Sequence, residues 1–135
     1  MSLNQAPFYV PRKWEAITIG LSGLVVYGVL SYAGEPGRGT VGGAFFGAIL
    51  MCIRTCWPIR SQRWFVITIL LITASHLILL FGISWSFAAQ WTGLVVMPFL
   101  AADLIICLCT VYVLYRLFCG KPAALFITAD PDYRD

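Results

Sequence analysis

The sequence predicts an all-α integral membrane protein, with four transmembrane helices in an antiparallel bundle. Three observations lead there. Hydrophobic residues make up 60% of the 135 and charged residues only 11%, against about 25% charged in an ordinary soluble domain. The apolar residues gather in four uncharged or nearly uncharged runs, and a mean hydropathy of +0.85 suits lipid as the solvent. The charges sit at the ends of those runs, which is the pattern of membrane orientation.

The first helix is expected over 14–32, after Arg12, Lys13 and Trp14. Basic residues, an apolar run and Ser31-Tyr32-Ala33 resemble a signal peptide. We read the segment as a retained helix. The second helix is expected over 40–57. Its uncharged part, 40–53, spans only about 21 Å at about 1.5 Å per residue. Extension to Trp57, with Arg54 snorkelling to the head groups, makes it long enough. A re-entrant hairpin is the alternative. The third helix, 64–83, and the fourth, 92–116, reach about 20 residues outright. Pro98 should bend the fourth and free a carbonyl near residue 94.

The connections follow. Residues 33–39, with Gly-Glu-Pro-Gly at 34–37, and residues 84–91 read as outer loops. Trp85, Phe87 and Trp91 mark the outer interface; Trp14, Trp57 and Trp64 mark the inner one. An amino-terminal arm, 1–13, and a tail, 120–135, flank the helices, and the tail begins near Gly120 and Pro122. The arm holds Pro7 and Pro11 and reads as extended. The tail has a β-prone stretch at 125–128, then Asp130, Asp132 and Asp135. The chain reads as one transmembrane domain.

Arg12, Lys13, Arg54, Arg60, Arg63, Arg116, Lys121 and Arg134 fall on one side of this topology, and Arg38 alone on the other. The positive-inside rule puts the first group, and both termini, in the cytoplasm. The expected location is a bacterial cytoplasmic membrane. The net charge of +3 lies in no basic stripe with interleaved aromatics, so nucleic acid is not an expected partner.

His76 and Asp103 are the sharpest candidates. Each is the lone ionisable side chain of its apolar run. A charge at the bilayer centre costs about 2.5–3.5 kcal/mol and normally faces a partner. His76 lies twelve residues from Trp64, and Asp103 thirteen from Arg116, so their depths match on antiparallel neighbours. The pair reads as a polar clamp or as a proton or cation site. Thr73 and Thr110 are candidates for the same seam.

Gly39, Gly43 and Gly47 form two overlapping Gly-x-x-x-Gly units on one face of the second helix. Ala16, Gly20 and Gly28 continue a similar stripe on the first. These faces suit packing between the two helices or docking to another chain. Arg54, Arg60 and Arg63 crowd the inner loop and suit lipid head groups, at about 1 kcal/mol each, or plain topology determination.

Cys52, Cys56, Cys107, Cys109 and Cys119 all fall in the cytoplasmic half, where thiols stay reduced. A soft-metal site on Cys52, Cys56 and Cys119 is conceivable. With no Cys-x-x-Cys pair, the expectation is apolar filler, no metal and no cofactor. No nucleophile set, phosphate loop or second membrane histidine is present, so an enzyme is not the favoured expectation. The favoured function is an accessory or structural subunit of a larger membrane complex. Its partners would be the bilayer and other membrane subunits or itself. The alternative is a small oligomeric transporter using Asp103 and His76.

Overall fold

A computed structural model of the chain describes residues 7–120 and 125–127. The protein is an all-helical membrane protein. Four helices, α1 (Lys13–Tyr32), α2 (Pro36–Thr55), α3 (Arg63–Gly82) and α4 (Gly93–Cys119), are each long and apolar enough to span a membrane. Two short strands, β1 (Phe8–Tyr9) and β2 (Phe126–Ile127), pair in parallel. Both flanking arms therefore meet at one end of the bundle. The basic tail residues Lys121 and Arg134, and the tail aspartates, lie outside the described residues.

α1 begins where Glu15 accepts the Arg12 N–H at 2.8 Å, satisfying a donor at the helix start. It ends at Ala33, after which Gly34 turns the chain at φ 88°. α2 then starts at once. Its first residue, Pro36, is preset for a first turn by its fixed φ. The α1–α2 connection is thus 33–35, shorter than the expected 33–39, and α2 is a continuous twenty-residue helix. That length replaces the re-entrant alternative. Pro58 helps end it, and a 3₁₀ turn at Trp57–Ile59 leads to α3.

α2 is the hub of the bundle. Half of its apolar window is buried, against 6% for α1. The reason is its glycines. A side chain at Gly43 would stand 2.7 Å from the Gly23 carbonyl oxygen of α1, and one at Gly39 would strike Ser31. The connection between α3 and α4 also folds onto α2. Its 3₁₀ turn, Ser86–Gln90, buries Ala88, and the Trp85 carbonyl presses where Gly37 has no Cβ. Val41, Phe45, Leu80 and Ala88 form the core at this end of the bundle. The core at the opposite end gathers Phe8, Cys52, Cys56, Ile59, Phe65, Cys107, Val111 and Tyr115. α4 continues as helix through Pro98 and stops at Gly120, whose φ of 82° suits glycine.

Candidate functional site

His76 stands on α3 and Asp103 on α4, and the two side chains meet. His76 Nε2 lies 2.9 Å from one Asp103 oxygen and 3.2 Å from the other. Its other ring nitrogen, Nδ1, donates to the Ile72 carbonyl one turn back, at 2.7 Å. That second contact determines the protonation pattern. A carbonyl only accepts, so Nδ1 carries hydrogen. Nε2 then bonds a carboxylate only through one further proton, held on the ring or on the acid. The unit is an imidazolium–carboxylate pair or its neutral equivalent, and it carries no net charge.

Both side chains are mostly covered, at 12% and 14% exposure. The Phe45 ring of α2 stands edge-on to the imidazole, with centroids 4.5 Å apart. α3 and α4 otherwise join where α3 begins and α4 ends, and there Trp64 stacks on Phe118 and meets Tyr115. Of the two threonines, Thr110 is exposed and bonds its own Ile106 carbonyl, away from the pair. Thr73 is half-buried one turn before His76.

A third polar group adjoins the pair. Cys107 Sγ, a carboxylate oxygen of Asp103 and an imidazole nitrogen of His76 all lie within 4.8 Å of one another. Cys107 follows Asp103 by four residues, one helical turn, so both project from the same face of α4. The Asp103–His76 meeting was expected from the sequence; Cys107 as a third member of the group was not. Cys52 and Cys56 of α2 share one buried core with Cys107. Cys119, which the sequence placed with Cys52 and Cys56, is half-exposed, and Cys109 is exposed.

The glycine positions divide. Gly39 and Gly43 abut α1, through Tyr27, Ser31 and Gly23. A side chain at Gly47 would stand 3.6 Å from Leu100 of α4. Gly20 and Gly28 would meet nothing within 4 Å, whereas Gly23, not singled out by the sequence, is the α1 glycine in the contact. The arginines divide as well. Arg54 is ion-paired with Glu15 of α1 and lies over the rings of Tyr9 and Trp57, 4.7 and 5.2 Å from their centroids. Arg60 lies over Trp57 at 4.3 Å, and both Arg60 and Arg63 are exposed.

No protein-family model, curated protein or solved structure matches the chain. The functional reading rests on the chain's own residues.

Proposed function

We propose that this small polytopic membrane protein works in proton- or cation-linked transport, with His76 and Asp103 as its intramembrane cation site. The observation that carries the reading is the contact itself. Two ionisable groups from different helices meet at matched depth through a shared proton, in a region where an unpaired charge is costly. A second observation tips the balance from docking towards this site. Most of the Gly39–Gly43–Gly47 face, the main sequence argument for a partner chain, is filled by α1 of the same molecule.

The orientation that goes with this proposal has both termini and the 56–62 loop in the cytoplasm, from the charge asymmetry. Rapid labelling of Cys119 by an impermeant reagent from outside intact cells would reverse it.

The transport reading is tested by reconstitution into liposomes. Asp103→Asn should abolish cation flux while the protein stays folded and assembled. A mere clamp would tolerate Asn, because an amide still bonds His76. Full flux with Asp103→Asn would overturn the proposal.

The second reading, an accessory subunit, draws on α1. Its outward face carries Leu21, Leu24 and Val25, all more than half exposed, beside the uncovered Gly20 and Gly28. Mild-detergent purification separates the two readings. A stoichiometric heteromer favours the subunit, and a homo-oligomer favours the transporter.

A further inference from the structure

Three ligand types converge at one depth of the membrane. His76 offers a nitrogen, Asp103 an oxygen and Cys107 a sulfur, mutually within 4.8 Å. A clamp needs only the first two. Cys107 is 2% exposed, and the wholly buried Cys52 belongs to the same core cluster. We propose that His76, Asp103 and Cys107 form an intramembrane site for a borderline divalent transition-metal ion, with Zn2+ as its type. The proposal rests on the cation-site reading above and names the cation.

The ligand set selects the ion. Calcium and magnesium take oxygen ligands, six or more. Imidazole, carboxylate and thiolate together suit zinc and its neighbours. Three protein ligands leave a fourth position open, as a site that must release its ion requires. The imidazole is already oriented for the task. Nδ1–H is held by the Ile72 carbonyl, so Nε2 is the nitrogen that faces the ion. Metal–ligand bonds of about 2.0–2.3 Å separate tetrahedral ligand atoms by roughly 3.3–3.6 Å. The edges to the Cys107 sulfur therefore close by up to about 1 Å from a separation within 4.8 Å, and the His76–Asp103 edge opens by a few tenths of an ångström from 2.9 Å.

Charge favours the exchange. A divalent ion held by neutral imidazole, carboxylate and thiolate has no net charge. Neither has the metal-free set, in which the pair shares its proton and Cys107 is a thiol. Two protons leave as one ion enters, and the membrane interior gains no charge. The buried thiols continue inward from the site. Cys107 shares a buried core with Cys52 and with Cys56, which lies one turn nearer the cytoplasmic end of α2. They form a soft path between site and inner end.

The test uses the full-length chain in mild detergent, freed of metal and titrated with Co2+. One equivalent should bind with a thiolate-to-cobalt charge-transfer band in the near ultraviolet, and Zn2+ should abolish the band. Cys107→Ser and Cys107→Ala should both lose it. Asp103→Asn and His76→Gln should weaken cobalt at least tenfold, and the double variant Cys109→Ser/Cys119→Ser should keep the wild-type band. Circular dichroism and elution volume confirm that each variant is folded. A wild-type chain with no band, or a band that survives both Cys107 substitutions, overturns the metal site. The two proposals fail separately. Proton or sodium flux in liposomes without cobalt binding would sink the metal and leave transport. Cobalt binding with no flux of Zn2+, protons or sodium would leave the metal site and sink transport.

Discussion

Helices α1 and α2 approach until backbone meets backbone, whereas α3 and α4 stand further apart and are joined by side chains that reach. In the first seam, a Cβ at Gly23 would lie 2.8 Å from the Gly43 carbonyl oxygen, and one at Gly43 would lie 2.7 Å from that of Gly23. In the second, His76 and Asp103 bridge the middle, and Trp64, Tyr115 and Phe118 close the inner end. Lipid is as apolar as leucine, so hydrophobic burial drives neither seam. The glycine seam is held by close van der Waals contact and is sensitive to volume. The polar seam is held by a hydrogen bond and is sensitive to charge. A seam of the first kind has no means of changing state when a cation arrives. The second has one, and α2 supports both, since Phe45 stands against His76.

The largest effect should come from adding volume to the glycine seam. Gly43→Leu meets backbone that cannot rotate aside. The cost is about 1–3 kcal/mol on the scale of overpacked soluble cores. Thermal unfolding in detergent and yield from membranes should both fall sharply. Wild-type values would mean that α1 and α2 separate in the membrane and that the two seams are not different in kind.

At the polar seam, stability and activity should part. Intramembrane hydrogen bonds average about 0.6 kcal/mol and reach about 1.7. Asp103→Asn should therefore shift the unfolding temperature little, and Asp103→Leu, which strands the imidazole, should shift it more. Flux should vanish in both. A melting series on wild type and the two variants, run beside the liposome assay, checks this. Equal loss of stability and flux would reduce the pair to a clamp.

The sequence revealed depth better than direction. The four spans and the common level of His76 and Asp103 were legible because lipid imposes length and penalises lone charges. Which way each helix faces was not. α1 is apolar all round, so nothing in its pattern sets Gly23 apart from Gly20 or Gly28. Cys107 stood one turn from Asp103 in plain view. Its worth depended on that face meeting α3. α2 starts at Pro36, earlier than the pattern indicates, because glycines at 37 and 39 read as a loop. Each of the two fits where a neighbouring backbone leaves no room for a Cβ. The pairing of Phe8 with Phe126 joins opposite ends of the chain, and no local pattern encodes it.

The ion pair of Glu15 with Arg54 gives a smaller lever on the first seam. It ties α1 to α2 at their inner ends, but both side chains are about a quarter exposed, at 25% and 27%. Water screens such pairs to about 0–1 kcal/mol. A double-mutant cycle of Glu15→Gln and Arg54→Gln should give a coupling in that range, one that shrinks in high salt. A coupling several times larger would place the inner end of the seam away from water.

The smallest effect belongs to the open face of α1. A methyl group at Gly20 or Gly28 meets nothing within 4 Å, and the same group at Gly23 meets the Gly43 carbonyl. Alanine favours helix over glycine by about 0.8–1 kcal/mol in water, and lipid, with no water to solvate open backbone, leaves less of that difference. Gly20→Ala and Gly28→Ala should therefore leave the unfolding temperature unchanged or slightly raised, and Gly23→Ala should lower it. A native gel adds the sharper reading. If the Gly20 and Gly28 variants melt normally yet lose an oligomer that the wild type forms, a second chain covers this face. The α1–α2 contact would then have a counterpart between molecules: a different second chain would give the accessory-subunit reading its interface, and a second copy of this chain would give the transporter its oligomer.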